Sequence, residues 1–318
     1  VIKVEGEPPS PGQAAAIAAG VTAMNLDLDE VLVVYTDDFD GAIRKLTGWA
    51  TYESDRGTGT VAGKTVLVGE VPAVVLNSQA IGNADPPLLE RLAAHESGHV
   101  LLQQRNEHFE GLAYASNSDW ERTLTAMAAY KIEEYRIEKS LRARGYPAAG
   151  SSESDHIAFV LHWTTVDLLN LLIDPASDDV MHLYRGVMGL ADRLTTVLAY
   201  TAAFDLEGDQ AARLESEGTA AVEGWREYVE PSWSQRVHLY QQVPSVDDPL
   251  AGSDLLAHVM AGAEVERALV ESMGFVFSNG SSSWNFDRQI SDEALYARHT
   301  RAVAQEELYE TQQPSPED

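Results

Sequence analysis

The sequence contains no cysteine. Disulfide cross-links, thiolate nucleophiles and cysteine-ligated zinc are therefore excluded. Long apolar runs are also missing. None approaches the roughly 18–20 residues needed to cross a bilayer, and runs such as Ile157 to Leu161 are soon interrupted by polar residues. No membrane insertion is expected. Basic residues are few: 22 Lys and Arg against 50 Asp and Glu give a net charge of −28. Such a surface repels phosphates and anionic head groups, so nucleic acid is not an expected partner. The acidic excess reads as a solvated surface. With no signal peptide recognisable from Val1, the compartment stays open.

What is present is a chain of 318 residues, 44% of them hydrophobic, which is ample for a sizeable core. Residues 1–13 read as a disordered lead-in rich in Pro, Gly and Glu, and residues 312–318 as a frayed tail. The chain changes character near Gly150. Before it, β-branched runs at Val31–Tyr35, Val66–Val68 and Ala73–Leu76 read as strands. Helices are expected at Phe39–Ala50, Pro87–Arg105 and Asp119–Arg144. After it, helical spacing recurs at His156–Ile173, Asp178–Phe204, Gln210–Tyr228, Ser253–Met273 and Asp292–Glu310. The exception is Phe275–Phe286, whose aromatic ends and central Asn279-Gly280 indicate a hairpin. The expected fold class is α+β: a small mixed sheet over 14–150, then a larger all-helical lobe over 151–311.

The Pro87–Arg105 helix carries His95-Glu96-Ser97-Gly98-His99. Two histidines four apart share one helix face and can reach one metal ion. Glu96 falls to one side of the pair, placed to act as general base on a zinc-bound water. Gly98 costs about 1 kcal/mol against Ala in a helix, which makes sense if another segment must come close there.

Catalytic zinc takes three protein ligands and leaves a fourth position open. The metzincin pattern would need Gly at 102 and His at 105, where Leu102 and Arg105 stand. His108 lies too near the same helix to fold back easily. On the next helix, Trp120, Leu124, Met127, Lys131, Glu134, Glu138 and Leu141 recur in steps of four and three and form one inward face. Two buried carboxylates one turn apart are costly unless a cation or a donor satisfies each. A zinc ion would do so for Glu134 and a histidine N–H for Glu138. Glu133 is the rival ligand, and pairing of both carboxylates with Lys131 and Arg142 is the purely structural alternative.

This pattern resembles the gluzincin group of metallopeptidases. The resemblance covers roughly Val66 to Arg144 and implies a zincin-like fold with peptide-bond hydrolysis as the activity. His95 and His99 correspond to the two histidine ligands, Glu96 to the catalytic glutamate, Glu134 to the third ligand and Glu138 to the acid supporting a ligand histidine. Glu138 stands where the group usually has Asp, and the spacing from His99 to Glu134 is longer than in thermolysin-like members. Ala73–Leu76 would be the sheet edge where a peptide or protein substrate aligns. The short strands before the motif are also similar to compact peptidases of the ImmA/IrrE type. His156, His162, His182 and Tyr130 are candidates for the oxyanion donor. The alternative reading is a non-catalytic helical binding protein in which the motif is vestigial or coincidental.

Competing motifs fail. Thr58 stands where a phosphate-binding loop before Lys64-Thr65 needs Gly, and no Gly-x-Ser-x-Gly occurs. A calcium loop starting at Thr36 would have Thr47 in place of its bidentate Glu.

Overall fold

A computed structural model describes the chain apart from residues 1, 56–59, 70, 83, 109–117, 280–282 and 313–318. Thr58, Gly59, Gly280 and the expected tail from 313 onward thus lie outside the described residues. The fold is mixed α+β, with a small sheet and a larger helical part. It resolves into two compact units. One comprises Val1–His108, Ile137–Pro147 and Ser245–Leu250; the other comprises Phe109–Arg136, Ala148–Pro244 and Ala251–Asp318. The sequence places a single divide near Gly150, whereas these units interleave along the chain.

The first unit is built on a four-stranded sheet of β1 (Ile2–Glu5), β2 (Leu32–Thr36), β3 (Gly63–Val68) and β4 (Val71–Asn77), in the order β1-β2-β4-β3. β1, β2 and β4 are parallel, and β3 is antiparallel to β4. Alternation along β4 sends its side chains to two cores. Val74 and Leu76 join one core with Val33 and Tyr35. Ala73 and Val75 join the other with Val34, Phe39 and Ile43. The lead-in is thus not featureless: Ile2–Glu5 pairs with Val33–Thr36. Its partner is some thirty residues away, which local composition cannot reveal.

The expectation that Ala73–Leu76 forms the sheet edge is overturned, because β4 pairs with β2 on one side and β3 on the other. β3 takes the edge. Helix α1 (Pro11–Ala23) starts in a capping box, with Gln13 N–H donating to Ser10 Oγ and Ser10 N–H to Gln13 Oε1. The short helices α2 (Phe39–Thr47) and α3 (Ser78–Ile81) flank the sheet. Helix α4 (Pro86–Gln104) packs on α1, β3 and β4. Its Leu89, Ala93 and Val100 enter the core shared with α1, while Ala94 and Leu102 pack with Met24, Ile137, Leu141 and Val246. Leu89, Val100 and Leu102 are each fully buried, and such side chains contribute about 1.5–3 kcal/mol apiece.

Helix α5 (Asp119–Ala143) is continuous, and its residues from Ile137 onward belong to the first unit. The segment Ser245–Leu250 is tied there by polar contacts. Arg144 donates to both oxygens of Asp247 at 2.7 and 2.6 Å. Ser140 Oγ donates to Asp247 at 2.7 Å and Arg105 to the Val246 carbonyl at 2.7 Å.

The second unit is mostly helical: α6 (Ser154–Ile173), α7 (Val180–Asp205), α8 (Gln210–Arg213), α9 (Thr219–Tyr228), α10 (Glu230–Gln242), α11 (Gly252–Ser272) and α12 (Asp292–Gln312). It is not all-helical, for β5 (Phe275–Asn279) and β6 (Trp284–Arg288) form an antiparallel hairpin. Phe277 of the hairpin stacks on Trp120 at 4.8 Å. The single helix expected over Gln210–Tyr228 is broken by a 3-10 turn and by Gly218 at φ 103°. Helix α10 is not among the helices expected from the sequence; its Pro231 stands in the first turn, where no N–H is needed. Helix α6 is long and apolar enough to cross a membrane by composition, but Ile157, Val160, Leu161 and Leu168 are buried in the core of this unit.

Candidate metal centre

Helix α4 arises from local signals: Pro86 and Pro87 fit its first turn, and apolar residues recur on two faces. Arg91, His95 and His99 follow at four-residue steps and so line one face. His95 is buried, and the more accessible His99 ring stands edge-on to it with centroids 5.2 Å apart. Helix α5 carries Glu134 and Glu138, one turn apart and both buried.

The contact between the helices is close because Gly98 has no side chain. A Cβ there would lie 2.8 Å from both Cγ1 and Cγ2 of Ile137. Any larger residue would push α5, and with it the neighbouring Glu138, away from His95.

Glu138 is fully buried and meets two partners. Its Oε1 lies 2.8 Å from His95 Nδ1, and its Oε2 accepts from Arg91 Nη2. Arg91 also donates through Nε to the Pro147 carbonyl at 2.9 Å. With Arg91 on one oxygen, the carboxylate acts as acceptor on the other, so His95 Nδ1 carries the proton. Its Nε2 is then the nitrogen with a lone pair for a metal.

His95, His99 and Glu134 each offer a ligand atom, and these atoms all lie within 4.8 Å of one another. A group of two imidazoles and one carboxylate can hold a metal ion. Glu134 is the carboxylate in this group; Glu133, buried on the same helix, is not part of it. The pairing of Glu134 and Glu138 with Lys131 is not what stands there. Lys131 goes instead to Asp192 at 2.7 Å and Thr196 at 2.6 Å.

Glu96 is also buried, and it faces the edge strand. The Thr65 hydroxyl lies 2.9 Å from Glu96 Oε2 and 2.8 Å from the Glu96 carbonyl. Two residues earlier, Gly63 lets β3 approach: a Cβ there would stand 3.0 Å from Glu96 Cγ.

Three other histidines singled out in the sequence lie on α6 and α7. His156 and His162 are on α6, where burial lowers the pKa of both. His182 pairs with Asp174 at 3.4 Å. Lys131 Nζ stands 4.5 Å over the Tyr130 ring. Sequence reasoning overlooked three residues of the centre. Arg91 carried a signal, an arginine one turn before His95 on a face that must be buried. Thr65, and Tyr200, whose hydroxyl donates to Glu134 Oε2 at 2.8 Å, carried none. Their partners are 31 and 66 residues away.

Comparison with protein-family models, with curated proteins and with solved structures finds no match for this chain.

Proposed function

We propose that this chain is a zinc-dependent metallopeptidase of the gluzincin type. The observation that carries the reading is the hydrogen bond between His95 Nδ1 and Glu138, which leaves Nε2 as the ring nitrogen that His95 would offer a metal in the group it forms with His99 and Glu134. Two histidines and a glutamate are a donor set that suits catalytic zinc, with a carboxylate behind one imidazole to fix its tautomer. Zinc held by His95, His99 and Glu134 would lower the pKa of a bound water to about 7 and polarise the scissile carbonyl.

The protein's own residues do the rest. Glu96 takes the proton of the attacking water and returns it to the leaving amine. Thr65 holds the Glu96 carboxylate in place, so little reorganisation is needed when the proton moves. Arg91 keeps Glu138 an acceptor, and Glu138 keeps His95 in one tautomer. The substrate would be a peptide in extended form, added to the edge strand β3 that packs beside α4. In that position its backbone would run past Gly63 and Thr65, which meet Glu96.

The test is Glu96→Gln in the full chain, with zinc content measured by mass spectrometry and cleavage followed on a mixed peptide library. The expected result is about one zinc per chain in both proteins, as a three-ligand site requires, with cleavage only in the wild type. Equal cleavage by both would overturn the role of Glu96. Absence of zinc from the reconstituted wild type would favour a non-catalytic binding protein.

A further inference from the structure

Lys131 and Glu134 stand three residues apart on α5, hence on one face. On α7, Asp192, Thr196 and Tyr200 recur every four residues and form a matching row. The contacts run in order. Lys131 Nζ meets Asp192 Oδ1 at 2.7 Å and Thr196 Oγ1 at 2.6 Å, and one turn further on Tyr200 donates its hydroxyl to Glu134 Oε2 at 2.8 Å. The Lys131 side chain is only 1% exposed, so its ion pair pins the register of the two helices. That register delivers the Tyr200 hydroxyl to Glu134.

We infer that Tyr200 is a positioning residue for the metal centre, a role that rests on the reading of His95, His99 and Glu134 as zinc ligands. A glutamate side chain has three rotatable bonds, and ordering them is a cost that binding an ion would otherwise have to meet. The tyrosine hydroxyl orders the carboxylate beforehand. By donating to Oε2 it also favours capture of the ion through one oxygen rather than two, which keeps a coordination position open for water. Hydrogen-bond partners of metal ligands typically contribute 10–100-fold in metal affinity.

The experiment compares zinc dissociation constants of the full-length wild type, Tyr200→Phe, Thr196→Val and Glu134→Ala, read by competition with a chromogenic chelator. The visible absorption of the cobalt(II)-substituted proteins and the melting temperatures of the metal-free proteins are recorded in parallel. Tyr200→Phe is expected to bind zinc ~10–100-fold more weakly. Its cobalt spectrum should change while its metal-free melting temperature stays near that of the wild type. Thr196→Val, which removes the neighbouring rung and leaves the donor to Glu134, is expected to keep wild-type affinity and spectrum. Unchanged zinc affinity and cobalt spectrum in Tyr200→Phe, alongside lost binding in Glu134→Ala, would overturn the inference and leave the metal site standing. A weakening that merely follows a fall in metal-free stability, or that appears equally in Thr196→Val, would also overturn it. A wild type that binds no zinc would remove both the inference and the metallopeptidase reading.

Discussion

Glu138 Oε1 lies 2.8 Å from His95 Nδ1, and the other oxygen of the same carboxylate accepts from Arg91. A buried carboxylate thus serves two helix positions four residues apart. Removing the arginine leaves its charge with a single neutral donor at a buried site. Arg91→Met is expected to destabilise the metal-free protein by about 3–5 kcal/mol, the usual result of breaking a buried pair on one side. Urea unfolding checks this, and a loss below about 1 kcal/mol would mean that the pair behaves like an exposed one.

The closeness of Gly98 to Ile137 gives a second expectation. Gly98→Ala gains up to about 1 kcal/mol of helix propensity. It also places a methyl 2.8 Å from two Ile137 carbons, and such overpacking costs about 1–3 kcal/mol. The net effect is a loss of stability and weaker zinc binding. Ile137→Ala is itself costly, because a fully buried side chain is lost, but in that background Gly98→Ala no longer overpacks, so the double mutant should be more stable than the two single effects add up to. Strict additivity in a double-mutant cycle would show that the two helices separate freely.

Thr65 should matter to turnover and not to metal. Thr65→Val removes the hydroxyl beside Glu96 Oε2 while keeping the shape of the side chain. Hydrogen bonds to charged groups are worth about 1.5–3 kcal/mol, so kcat/KM should fall about 10–100-fold with zinc content unchanged. Stopped assays on one defined peptide, with zinc counted on the same sample, decide the matter. Loss of zinc in this variant would count against a role confined to Glu96.

The Asp247 clamp gives a pH dependence. The hydrogen bonds from Arg144, reinforced by Ser140, hold its pKa below the ordinary carboxylate range against the opposing effect of burial. A carboxylate with a lowered folded-state pKa adds stability above its unfolded value, near 3.9, and loses it as pH falls through the folded value. Asp247→Asn should therefore melt below the wild type at neutral pH. The gap should close as the pH drops below about 4. A gap of constant size down to the acid limit would show that the charge is not what holds the segment.

The parts of this molecule that are legible in the sequence are those settled within a few turns of chain. The α4 helix is one, since its prolines, apolar spacing and paired histidines all lie inside nineteen residues. The inward face of α5 is another, because its periodicity persists across twenty-five residues. What escaped depends on distant partners. The status of Ala73–Leu76 turns on which strands flank it, and a run of β-branched residues reads the same at an edge and in the middle of a sheet. Thr65 and Tyr200 become part of the centre only when a strand and a helix far away in the chain are brought against Glu96 and Glu134. Helix α10, also missed, opens on Pro231, a residue type that ends one helix and can equally begin the next.

The tie between Ser245–Leu250 and the end of α5 has a consequence for how the protein can be divided. Val246 is wholly buried beside Ile137 and Leu141, and it comes from a point in the chain a hundred residues after them. The strand-bearing unit is therefore not a contiguous cassette. A gene fragment that stops near codon 150 omits the piece that closes its core, and one that begins there carries that piece away. Domain shuffling, whether natural or in the laboratory, has to move both stretches together, so the helical half travels with the histidines as a matter of chain connectivity.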